Sequence, residues 1–110
     1  MTIKLPPSIQ AYFDADNARS PDAVAAAFTD DAVVRDAGET HTSRKAIRAW
    51  KVETDRKYSH TLSEPFFITT EDGRVDVTAH VSGDFPGSPV DLRYFFVLKG
   101  DKIADLEITV

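Results

Sequence analysis

A chain of 110 residues with 42% hydrophobic side chains is expected to form one domain, 1–110, that buries about two-thirds of its unfolded surface around one core. Eighteen acidic residues against thirteen basic ones give a net charge of −5, which offers no field for phosphate backbones or anionic membranes, so neither nucleic acid nor membrane is expected as a partner. The absence of cysteine excludes disulfides, thiolate nucleophiles and cysteine-ligated zinc or iron–sulfur clusters.

Met1 to Leu5 runs into Pro6-Pro7 with no apolar stretch behind it, and no apolar run reaches membrane-spanning length, so the chain reads as soluble and cytoplasmic. Ile9, Tyr12 and Phe13 recur at i, i+3, i+4 among helix-favouring alanines, which predicts a helix from about Ser8 to Arg19 with Tyr12 facing inward. Ser20-Pro21 supplies an N-cap and a first-turn proline for a short second helix with Val24, Ala27 and Phe28 on its apolar face, ended by Thr29-Asp30-Asp31.

Ala32 to Asp36 alternates as a strand, with Ala32, Val34 and Asp36 on one face and Val33 and Arg35 on the other. A two-residue turn at Ala37-Gly38 would set Asp36 opposite Glu39 and Val34 opposite His41, so that Glu39 and His41 share the face of Asp36; a three-residue loop would reverse this. Ser43 then caps a helix to about Lys57 carrying Ile47, Trp50 and Thr54 inward, while Arg44, Lys45, Arg48, Lys51, Glu53 and Asp55 read mostly as its solvated side.

After Tyr58 the period changes to two. A strand is expected over Glu64 to Glu71, with Pro65 marking an edge or bulge. Asp72-Gly73 signals a hairpin into a strand with Val75, Val77, Ala79 and Val81 on one face and Asp76, Thr78, His80 and Ser82 on the other. Beyond the loop Asp84 to Pro89, Val90 to Leu98 is apolar on both faces near its end. An outward patch of Phe95 and Val97 there points to a homodimer. Lys99 to Lys102 turns into a last strand with Ala104, Leu106, Ile108 and Val110 inward.

Ala27-Phe28-Thr29-Asp30-Asp31-Ala32-Val33-Val34-Arg35-Asp36, then Thr42-Ser43-Arg44-Lys45-Ala46-Ile47-Arg48, then Lys99-Gly100-Asp101-Lys102-Ile103, together with the element order, resemble the nuclear transport factor 2-like superfamily, which includes SnoaL-like polyketide cyclases and ketosteroid isomerases. The resemblance implies an α+β cone: a curved, mainly antiparallel sheet wrapped around N-terminal helices, enclosing an apolar pocket, with the outer sheet face used for dimerisation. Tyr12 matches the oxyanion-donating tyrosine of the ketosteroid isomerases and Asp36 their general-base aspartate. Their protonated aspartate on the penultimate strand is replaced by Tyr94, and their supporting tyrosine on the third helix by Lys51.

The functional candidates follow. Asp36, partly desolvated at a strand end, suits proton transfer at carbon or activation of water; as a turn residue it would instead bond its own backbone. Tyr12 reads as a hydrogen-bond donor to substrate or as core, and His41 as an acid–base partner for Asp36. Trp50, Phe66, Tyr94, Phe96 and Leu106 are the expected pocket lining. Asp36, Glu39 and His41 would form a metal-ligand set only in the two-residue register, and carboxylates beside a turn are usually solvated, so no metal is expected; no organic cofactor is implied. The leading reading is a small-molecule pocket protein, an isomerase, cyclase or hydrolase with Asp36 as general base. The alternative is a non-catalytic ligand-binding or dimerisation module.

Overall fold

The computed structural model describes residues 5–62, 67–71 and 73–109. The expectations placed on Pro65, Phe66 and Val110 lie outside the described residues. In chain order the elements are α1 (Pro7–Asn17), α2 (Pro21–Ala26), β1 (Phe28–Asp36), β2 (Glu39–Thr42), α3 (Arg44–Lys57), β3 (His60–Leu62), β4 (Phe67–Glu71), β5 (Arg74–Gly83), β6 (Val90–Lys99) and β7 (Lys102–Thr109).

The strands form one curled sheet in the order β2-β1-β7-β6-β5-β3, with β4 also paired to β5. Every pairing is antiparallel except β1 with β7. The concave side holds α1, whose Ile9, Tyr12 and Phe13 are buried at helical spacing. Against them the strands present Ala32 and Val34 from β1, Val75, Val77, Ala79 and Val81 from β5, and Tyr94, Phe96, Ile103 and Leu106 from β6 and β7. This is the expected α+β cone. Among the described residues no helix is long and apolar enough to cross a membrane.

Local chemistry sets the boundaries. Ser20 Oγ accepts the Ala23 N–H at 3.4 Å above the first-turn proline of α2, and Ser43 Oγ accepts the Ala46 N–H at 3.4 Å at the start of α3. The β1–β2 hairpin has the two-residue turn: Asp36 pairs with Glu39 and Val34 with His41. Its two turn residues are left-handed, Ala37 at φ 53° and Gly38 at φ 79°, as a turn matched to the twist of the strands requires. β3 and β4 line up along the same edge of β5, and a side chain at Gly83 would run into the Ser59 carbonyl where β3 begins.

Three expectations are corrected. The second helix stops at Ala26 rather than Phe28, because the Ile103 N–H donates to Ala27 O at 2.9 Å and Phe28 pairs with Ile103, which starts β1 early. In β7 an irregularity between Val97 and Leu98 of its partner shifts the register, so Ile103 is fully buried where Ala104 was expected. On α3, Lys51 and Asp55 do not belong to the solvated side. Lys51 is 3% exposed and both Asp55 carboxylate oxygens are sealed from solvent. Elsewhere on that face Arg44 pairs with Asp30, Arg48 with Asp22, and Arg56 and Lys57 share Glu53.

Candidate functional site

Asp36 ends β1 half-buried, and the alternation of the strand turns it to the side of Val34, under α3. From α3 the Trp50 indole N–H donates to Asp36 Oδ2 at 3.2 Å. His41, carried to the same face by the hairpin register, stacks on the Trp50 ring with centroids 5.8 Å apart and planes 29° apart. Its Nε2 is shut off from solvent without a hydrogen bond among the described residues and lies 3.9 Å from Glu39 Oε1. Trp50 is therefore shared by both polar candidates. One oxygen of Asp36 is held by the indole N–H, and the other has no partner among the described residues.

Tyr12 sits deeper, 1% exposed. Its ring meets Phe13, Phe28, Tyr94 and Phe96 edge-on at 5.3–6.4 Å, and Tyr94 stacks on Phe96 at 6.2 Å. Burial, with the charges of Asp16 and Asp36 and the neighbouring Tyr94, holds the Tyr12 hydroxyl well above its ordinary pKa, and burial with Asp16 and Asp36 does the same for Tyr94. Both hydroxyls thus stay protonated at physiological pH, within electrostatic reach of Asp36.

An open groove of about 450 Å³ runs along the hairpin end of the sheet, lined by Arg35, Asp36, Glu39, Thr40, Leu92 and Ile108 with the turn and the end of β7. Asp36 therefore borders a cavity. Tyr12, Trp50, Tyr94, Phe96 and Leu106 do not line this groove: Phe96 and Leu106 are fully buried, and the aromatic cluster fills the space between α1 and the sheet. Glu39, with a side chain 74% exposed, is a groove rim.

The residues that sequence reasoning passed over lie at the other end of α3. Asp16 of α1 and Lys51 are ion-paired, each side chain 3–4% exposed, and His60 Nε2 lies 3.2 Å from Asp16 Oδ2. The Asp55 carboxylate completes the group. Burial pushes the Asp16 carboxyl up, but the His60 hydrogen bond and the Lys51 ammonium outweigh it, so the carboxyl stays below the usual carboxylate range. The Lys51 ammonium also lies 4.9 Å from the Trp50 ring centroid, which links this cluster to the Asp36 end. A signal existed: Asp16 stands seven residues after Ile9, and Lys51 and Asp55 four and eight after Ile47, all on buried stripes.

The helix-lined cone is the fold of nuclear transport factor 2-like proteins. The chain belongs to the SnoaL-like domain family, whose model matches residues 9–106. It is similar to a proposed polyketide cyclase from Sinorhizobium meliloti, with 43% identity, a TM-score of 0.90 and coverage of 96% of this chain and 95% of that one. A protein from Catenulispora acidiphila with a ketosteroid isomerase-like fold, in complex with trimethylamine, shares 22% identity at a TM-score of 0.81, over 97% and 87% of the two chains. A proposed polyketide cyclase from Pseudomonas putida shares 20% identity at a TM-score of 0.76, over 98% and 92%. The last two likenesses concern the fold alone. No match was found among curated proteins.

Proposed function

We propose that the chain is a small-molecule-binding protein of the cytoplasm in which a ligand seats in the groove against Asp36, and that Asp36 serves as general base for an isomerisation, cyclisation or hydrolysis. The observation that carries this reading is the Trp50–Asp36 bond at 3.2 Å: it fixes one carboxylate oxygen of a residue that borders a cavity, as a positioned base requires. The Sinorhizobium relative, a proposed polyketide cyclase, supports the same reaction class. His41 would brace the indole from its stacked position, while Tyr12 and Tyr94, kept protonated, act on Asp36 only through the field they share with it.

Asp36→Asn keeps shape and volume while removing the base. For any compound from a small-molecule screen that the wild type both binds and converts, binding is expected to survive and turnover to fall about 100-fold or more. Equal turnover in the variant would leave the non-catalytic ligand-binding module standing. One observation favours that second reading: Tyr12 is packed inside the aromatic cluster and does not line the groove.

Two copies are proposed to pair through the outer sheet face. Val97 is 43% exposed there, and Phe95 is half-buried with the Arg74 guanidinium 5.5 Å from its ring centroid. Sedimentation at tens of micromolar is expected to give a dimer, and Val97→Asp to shift it towards monomer by placing an unpaired charge in a dry interface. A wild-type monomer would refute the pairing.

A further inference from the structure

The cluster at the far end of α3 leaves one carboxylate without a partner among the described residues. Two carboxylates, Asp16 and Asp55, face one ammonium, Lys51, and one imidazole, His60. Lys51 is spent on Asp16 Oδ1. Both oxygens of Asp55 are sealed from solvent and have no hydrogen-bond partner among the described residues. A sealed, unpartnered carboxylate is costly, and protein interiors resolve it with a proton, a donor or a metal ion.

We propose that Asp16, Asp55 and His60 form a binding site for one divalent transition-metal ion of the Zn²⁺ or Mn²⁺ type. The three residues come from α1, from α3 and from the start of β3, so the fold itself brings them together. One ligand atom from each lies within 4.8 Å of the others, and a modest contraction brings them to the roughly 3.4 Å separation that metal–ligand bonds of about 2.1 Å require in a tetrahedral site. One imidazole nitrogen with two carboxylate oxygens is a donor set suited to this class of ion. Asp16 can serve both cations at once: Oδ1 stays with Lys51, and Oδ2, already directed at His60 Nε2 at 3.2 Å, turns to the metal. Lys51 then orients the ligand from behind, as partners of metal-bound carboxylates do. The site is separate from the groove, and it stands whether or not Asp36 is a base.

The test uses the full chain stripped with a chelator. Thermal unfolding with added Zn²⁺ or Mn²⁺ is expected to show a midpoint that rises with ion concentration, and calorimetric titration to give one ion per chain. Asp55→Asn and His60→Gln should each abolish the rise, and His80→Ala should retain it. Should either cluster variant fail to fold, the wild type still decides: of the three histidines, His60 should lose its ring resonances to Mn²⁺ broadening before His41 and His80. No rise in the midpoint, a rise that persists in both cluster variants, or earlier broadening of His80, whose surface pair with Asp91 could hold an ion adventitiously, would overturn the proposal.

Discussion

Replacing Lys51 by methionine is expected to lower the unfolding free energy by about 3–5 kcal/mol, the usual cost of stranding one member of a buried ion pair. The stem of methionine fills the space of the lysine, so the loss reports on the charge left on Asp16 rather than on a hole. Asp16→Leu combined with Lys51→Met should cost less than the two single losses added together, because an apolar pair leaves less buried charge uncompensated. Urea melts of the four proteins measure this. A loss below about 1 kcal/mol for Lys51→Met would mean that the ammonium reaches water in solution.

The same pair sets an acid limit. Because the Asp16 carboxyl is held below its ordinary value in the fold, its contribution is complete above the unfolded-state value of about 3.9 and is lost as pH falls through the lowered folded-state value. Lys51→Met removes one of the partners that lower it, so the variant should lose less stability between about pH 4 and pH 2 than the wild type does.

Trp50→Ala is the second large loss expected, again about 3–5 kcal/mol, from a ring only 7% exposed that packs α3 to the sheet. It differs from Lys51→Met in what else it disturbs. The indole also holds Asp36 and stacks on His41, so Trp50→Phe should recover most of the stability while leaving Asp36 without its donor. A denaturant series over wild type, Phe and Ala separates packing from hydrogen bonding. Equal losses for Phe and Ala would place the weight on the hydrogen bond.

Most of the architecture could be read where residue chemistry and position agree. Ser20-Pro21 and Ser43 cap the helices they precede, and Val75 to Val81 alternate into the core, whereas Ala37-Gly38 left two hairpin registers open and the structure supplies the one that carries His41 to the face of Asp36. Where the two conflict, position prevailed. Lys51 and Asp55 read as solvated because they are charged, yet they stand on the same helical stripe as Ile47 and Trp50, and the fold buries Lys51 and seals the Asp55 carboxylate oxygens beside Asp16 and His60. The inward phase of β7 was hidden for another reason. A single irregular residue opposite Val97-Leu98 exchanges Ile103 for Ala104, and alternation counted along one strand carries no information about its partner's register. The Asp36–Trp50 contact depends on how α3 lies across the hairpin, a tertiary geometry that spacing alone does not encode.

The parallel pairing of β1 with β7 joins Val33 to Asp36 with residues 105 to 108, so the strand bearing Asp36 finds its inner neighbour only in the last strand of the described chain. During synthesis the β1–β2 hairpin can close on its own, but its seat beside β7 does not yet exist, and Ala32 and Val34 stay uncovered on that flank until the ribosome has released the remaining strands. Contacts of such long sequence separation are slow to form. Between the synthesis of β1 and that of β7 the chain thus carries an apolar, unpaired strand edge, when sticking to other chains competes with folding. The turn Lys99 to Lys102 that delivers β7 is therefore a candidate for the step that ends this exposure.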